Sequence, residues 1–142
     1  MVDINYEETE DLGLDPDFFV DWFTKVTAKE GKELDEVTLV FCSDDYLLEI
    51  NQQHLRHDYY TDIITFDYCW DNYVSGDLFI SVERVRENAV TFSRTFLNEL
   101  HRVIIHGVLH LCGYGDKTES DEKTMREKEE ESLSLIGSTW NI

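Results

Sequence analysis

The sequence predicts an α+β fold: one domain over residues 1–142, with a mixed β-sheet of about four strands packed against helices. Three observations point there. Strand-length runs of branched and aromatic residues lie before Val82, and helical patterns follow it. The order reads strand, helix, strand, helix, two strands, then three helices. Finally, the stretch from Val103 to Leu111 is apolar on nearly every side, the mark of a buried helix. The 142 residues, 42% hydrophobic and 13% aromatic, suffice for one core, and no linker rich in Gly, Pro or Ser divides them.

The elements follow in order. Val2–Tyr6 alternates apolar and polar as a short strand does. Asp15 caps a helix with Pro16 at its first position. Phe18, Phe19, Trp22, Phe23 and Val26 give that helix an apolar stripe to about Lys29, and Gly31 ends it. Val37–Cys42 reads as a strand. Ser43 caps the next helix, with Asp44 and Asp45 favoured by its dipole and Leu47, Leu48, Ile50 and Leu55 as its apolar positions. The chain turns through residues 57–60 into a strand over Asp62–Tyr68. Cys69–Ser75 is a hairpin-type connection to a strand over Gly76–Val82. Val82–Phe92 is a helix. Thr95 or Asn98 opens the buried helix, which runs to about Cys112 and stops at Gly113. Thr118 or Ser120 opens a last helix to about Leu135; its sparse apolar face of Met125, Leu133 and Ile136 places it on the outside. Residues 137–142 read as a frayed tail.

A formal net charge of −19 repels nucleic acid and anionic membranes at long range. The acids concentrate before Asp17 and again between Glu119 and Glu131; from Ser81 to His110, Arg84, Arg86, Arg94 and Arg102 balance Glu83, Glu87 and Glu99. Cys42, Cys69 and Cys112, odd in number and widely spaced in apolar surroundings, read as reduced buried thiols. Neither a signal peptide nor a run of ~20 apolar residues is visible, so a cytoplasmic protein without membrane partners is expected.

The chemistry gathers in His106-Gly-Val-Leu-His110-Leu-Cys-Gly-Tyr-Gly-Asp116. Histidines four apart on a helix share one face, about 40° apart around the axis. A buried imidazole pair needs partners, since each unpaired buried polar group costs ~1–3 kcal/mol. A shared metal ion satisfies both; a purely structural pair is the alternative. Asp116, swung back past Gly113 and Gly115, is the candidate third ligand, the alternative being an ordinary turn residue; Glu119 is a weaker candidate. The residue after His106 is Gly107, where an H-E-x-x-H protease carries its glutamate base, so peptidase chemistry is disfavoured. Gly107 costs its helix about 1 kcal/mol relative to Ala, which implies close approach of another backbone or a substrate. Arg56, at a helix end, reads as a charge favouring the helix dipole, although its guanidinium also suits phosphate.

His106-Gly107-Val108-Leu109-His110-Leu111-Cys112-Gly113-Tyr114 resembles the signature of the YbeY family of metal-dependent endoribonucleases. Asn51–Arg56 with Thr61–Phe66, Gly76–Ser81 and Met125–Glu130 are similar to three further family segments, in the family's order. The family motif closes on a histidine as third zinc ligand. Here Asp116 stands at that position, and the stretch from Arg56 to Thr61 is one residue shorter than the usual form. The resemblance implies Zn²⁺ held by His106, His110 and Asp116, with another divalent metal compatible because a carboxylate is a harder ligand than imidazole. It implies His106, His110 and Arg56 as the catalytic set, with Arg56 facing phosphate. It further implies single-stranded RNA as substrate in maturation of the small-subunit rRNA 3′ end and ribosome quality control. The small ribosomal subunit or its proteins would be partners. Two rival functions remain: a ribosome assembly factor whose metal is structural, and a metal hydrolase of another substrate. A fourth protein ligand would favour the former; an open coordination position favours catalysis.

Overall fold

A computed structural model of the chain describes residues 1–57 and 59–137. Four strands and five helices appear in the expected order. They are β1 (Val2–Glu7), α1 (Pro16–Lys29), β2 (Glu33–Cys42), α2 (Asp44–Leu55), β3 (Ile63–Asp67) and β4 (Tyr73–Ser81). Helices α3 (Val82–Thr91), α4 (Phe96–Leu111) and α5 (Glu119–Leu133) follow, and a 3₁₀ turn over Ser134–Ile136 succeeds them. The caps form as the residue types dictate. Asp15, Ser43, Thr95 and Thr118 each accept a hydrogen bond from a backbone N–H in the first turn of the helix they open. Of the paired candidates, Thr95 and Thr118 are thus the caps. Two strands begin earlier than expected, because the polar Glu33, Asp35 and Glu36 hide the start of β2. Its first residues pair with the start of β4, Glu33 with Tyr73 and Leu34 with Val74, before the register shifts ahead of Val37. Residues 138–142 of the expected frayed tail, like Asp58 of the expected turn, lie outside the described residues.

The sheet runs β1-β2-β4-β3, with β1, β2 and β4 parallel and β3 antiparallel to β4. Its two faces are covered differently. One carries α2 over a small cluster of Cys42, Leu47 and Ile64 with Phe66 and Phe79 at its margin. The other carries α1 and α4 over the main core, where Phe19, Trp22, Phe23, Leu78, Ile80, Leu100, Ile104 and Leu109 are fully buried. Strand β3 is an edge. Ser81 N–H donates to Asp62 O and Tyr68 N–H donates to Ser75 O. That alternation turns the N–H and C=O of Ile64 and Phe66 toward β4, and those of Ile63, Thr65 and Asp67 outward.

Helix α4 lies close to β3 and β4 because glycine stands on both sides of the contact. A Cβ on Gly107 would meet Ile63 Cδ1 at 2.8 Å and Leu78 Cδ2 at 2.9 Å; one on Gly76 would lie 2.8 Å from Leu111 Cδ2 and 2.5 Å from Phe66 O. What approaches Gly107 is therefore the side chains of the sheet, not the backbone or substrate expected from sequence. Helix α5 packs outside α4 through Met125 and Leu133, and the Trp22 indole N–H donates to Ser132 O at 2.8 Å, tying α1 to α5. Burial pushes the Cys42 and Cys112 thiols up to about 12, so both are unreactive; Cys69, expected to be buried, is only partly covered. No helix among the described residues is long and apolar enough to cross a membrane.

Candidate metal centre

The last turns of α4 hold His106 and His110 one above the other. Their rings meet edge to face, with centroids 4.5 Å apart, and the two Nε2 atoms stand 3.0 Å from each other. The helix then stops. Gly113 takes a φ of +106°, a conformation side chains rarely adopt, and its N–H and that of Tyr114 close on His110 O and Leu109 O. This turn carries Asp116 back over the imidazoles, with Oδ2 3.4 Å from His106 Nε2 and 3.3 Å from His110 Nε2. Thus the three residues singled out from sequence do meet, and Asp116 is the most exposed of them.

Their outer contacts decide the protonation. His110 Nδ1 lies 2.8 Å from the Tyr114 carbonyl, which only accepts, so that nitrogen carries the proton. His106 Nδ1 lies 2.7 Å from Glu129 Oε2 on α5, again an acceptor. With the proton on Nδ1, each Nε2 has its lone pair directed at the other Nε2 and at the Asp116 carboxylate. Three electron-pair donors converge, an arrangement that calls for a cation. The separations of 3.0–3.4 Å compare with the about 3.3–3.4 Å between ligands set ~2.0–2.1 Å from a tetrahedral ion. A divalent metal fits this donor set. Among the described residues no fourth ligating side chain joins the three. Burial pulls the His106 pKa down, but the Glu129 hydrogen bond and the charges of Glu129, Asp116 and Asp62 outweigh it and leave it raised.

The donors open into a groove of about 630 Å³, also lined by Asn51, Tyr59, Asp62, Thr65, Asp67 and Lys117, a volume typical of a ligand cleft. Asp62 is half-buried; burial is the main cause of its raised pKa, and Asn88 Nδ2 donates to its Oδ2 at 3.3 Å. Arg56 occupies the C-cap of α2 in the left-handed conformation, with a φ of 57°. Leu55 and His57 on either side of it line the groove, which places Arg56 at the rim. Its guanidinium is exposed, and no hydrogen bond or ion pair holds it among the described residues. Sequence reasoning gave no role to Glu129 or Asp62. Both lie inside segments already matched, Met125–Glu130 and Thr61–Phe66, so the signal existed without a contact to interpret it.

The family model described as Endoribonuclease YbeY matches residues 4–137. The chain belongs to the YbeY family. The Endoribonuclease YbeY of Phocaeicola vulgatus is 54% identical over 115 residues, covering 81% of this chain and 83% of the relative. That of Flavobacterium psychrophilum is 49% identical over 136 residues, 96% of each chain. Among solved structures, the solution structure of a Thermotoga maritima protein matches with a TM-score of 0.72 at 30% identity, covering 99% of this chain and 91% of that one. The YbeY match spans every element that builds the groove, from the Asn51 end of α2 to Glu129 on α5.

Proposed function

We propose that this member of the YbeY family is a divalent-metal-dependent endoribonuclease, a hydrolase that cuts single-stranded RNA in maturation of the small-subunit rRNA 3′ end and in ribosome quality control. It would work in the cytoplasm with the small ribosomal subunit or its proteins as partners. The observation that carries the reading is the convergence of His106 Nε2, His110 Nε2 and Asp116 Oδ2 in a groove of about 630 Å³. Family membership supports the nuclease class. Two imidazoles and a carboxylate suit Zn²⁺, while the carboxylate also admits a harder divalent ion. When bound, such an ion supplies a Lewis acid for a phosphoryl oxygen.

The chain's own residues do the rest. His106, His110 and Asp116 hold the site. Glu129 and the Tyr114 carbonyl keep the imidazole protons on Nδ1, so Nε2 remains a donor of electrons. Arg56, unengaged at the rim, offers its guanidinium fork to a phosphate and to the charge that builds there during cleavage. With no fourth protein ligand among the described residues, the site favours catalysis over a structural metal. Gly107, packed against Ile63 and Leu78, leaves no room for the base a peptidase needs.

The test uses protein purified without a metal-affinity tag. Metal analysis should find about one divalent ion per chain. Cleavage of a single-stranded rRNA fragment should stop in chelator and return with stoichiometric zinc. A protein that binds the ion and the small subunit yet leaves the RNA intact would instead be an assembly factor.

A further inference from the structure

The groove that holds the metal donors also carries a pair of aromatic rings that the catalytic reading does not use. His57 and Tyr59 stack with centroids 5.1 Å apart and planes 20° from parallel, and the Tyr59 hydroxyl and His57 Nδ1 are hydrogen-bonded at 3.0 Å. Both line the same groove as His106, His110 and Asp116. The pair is held from its backbone: the buried Asn51 donates from Nδ2 to Tyr59 O at 2.9 Å, and His57 N–H donates to Asn51 O at 3.0 Å. Tyr59 is nonetheless 56% exposed. One face of its ring is stacked on His57, and more than half of the residue remains accessible to a ligand.

An exposed ring is ordinarily unremarkable, but the electrostatics of this groove give it a task. Asp62, Asp67 and Asp116 line it, and Lys117 is the one Lys or Arg among the described lining residues. A chain of net charge −19 gains little from phosphate attraction. With so few cations, affinity for a nucleic acid strand needs contacts that ignore phosphate charge, and base–aromatic stacking supplies ~1–3 kcal/mol per base. The outward N–H and C=O groups of Ile63, Thr65 and Asp67 lie along the same groove and offer donors and acceptors to the edge of a base.

We propose that the accessible ring of Tyr59, backed by His57, is a stacking platform for one unpaired nucleobase of the RNA strand, next to the metal centre. The inference rests on the endoribonuclease reading and specifies how that groove takes its substrate. A base paired inside a duplex cannot reach the platform, so the platform selects single strands. Because Asn51 anchors the backbone, changing the Tyr59 side chain leaves the loop in place.

The experiment compares the parent with Tyr59→Ala and Tyr59→Phe. Steady-state cleavage is measured on the zinc-loaded proteins. Quenching of a 2-aminopurine base in a short single-stranded RNA is measured in chelator. Losing one stacked base weakens binding roughly 5- to 150-fold. Tyr59→Ala should therefore raise KM at least about fivefold with little change in kcat and abolish the quenching. Tyr59→Phe keeps the ring and should stay near the parent in both. Thermal melting checks that all three are folded. With Lys117 and Arg56 as the nearby cations, log affinity should fall with log salt at a slope of only about −1.4 for two phosphate contacts. Unchanged KM and quenching in a folded Tyr59→Ala, or equal losses in Tyr59→Ala and Tyr59→Phe, would overturn the platform while the nuclease stands. A parent that neither cleaves nor binds RNA would overturn both.

Discussion

His101 and the pair His106 and His110 share one helix and one residue type but stand in opposite environments. His101 is five residues before His106, about 140° around the axis, whereas His110 is only about 40° from His106. That rotation turns His101 into α1, where its ring stacks on Phe19 at 6.0 Å and meets Phe18 and Trp22 at 5.7 Å each. Its Nδ1 donates to Leu97 O at 2.6 Å. Burial lowers its pKa, so it stays neutral. His106 and His110 face carboxylates instead, and one of them, Glu129, raises the pKa of His106 against the pull of burial. A histidine on an apolar helix is thus a core ring or a candidate metal donor according to which element covers its face.

That contrast can be broken from either side. The largest effect expected is on metal binding by His106→Ala. Partners outside the ligand shell cost ~10–100-fold in affinity, and loss of a ligand should exceed that. Calorimetric titration with zinc should show it, with RNA cleavage by the purified variant lost in parallel and the melting temperature of the metal-free protein little changed. Retained cleavage would assign the activity to a contaminant.

His101→Ala should do the reverse. It removes a packed ring and should cost on the order of 2–4 kcal/mol of stability in denaturant melts, with zinc affinity kept. The parent carries a pH signature of the same residue. The folded pKa of His101 lies below its unfolded value, so its contribution is complete above about pH 6.5 and is lost as pH falls through the folded pKa. A His101→Phe variant that still folds should lack that component of acid destabilisation.

Glu129→Gln sharpens the contrast at the donor side. The amide keeps the shape but not the charge that fixes the His106 proton, and zinc affinity should fall ~10–100-fold. A variant with parental affinity would make the 2.7 Å contact incidental. Gly107→Ala, between the two histidine environments, is the mildest. Its methyl gains about 1 kcal/mol of helix propensity but must displace Ile63 and Leu78 at under 3 Å. Overpacking costs typically ~1–3 kcal/mol, so a small net loss of stability should appear in thermal melts.

Much of this arrangement was legible before any coordinates. Four-residue spacing placed His106 and His110 on one face, and the glycine stop at Gly113 placed Asp116 after it. Asp15 and Ser43 announced their helices. What escaped has a common physical cause: it depends on docking between elements distant in sequence. Helix α5 has four glutamates between Glu127 and Glu131, and no local pattern says which one meets α4. Met125, Leu133 and the Trp22–Ser132 bond set the roll of the helix that selects Glu129. The early start of β2 was hidden in the same way, because Glu33 is extended by pairing with Tyr73 rather than by its own preference. His101 drew no separate reading, since an imidazole among apolar residues carries no mark of which neighbours will enclose it.

The bond from Trp22 to Ser132 spans 110 residues, and it has a consequence for the order in which the molecule comes into being. Synthesis runs from the N-terminus, so His106, His110 and Asp116 enter the chain before Glu129, the residue that meets the His106 ring. Only when α5 has been synthesised and has closed over α1 and α4 does Glu129 set that ring. Orientation of the His106 ring therefore depends on a contact that enters the chain after the three donors themselves.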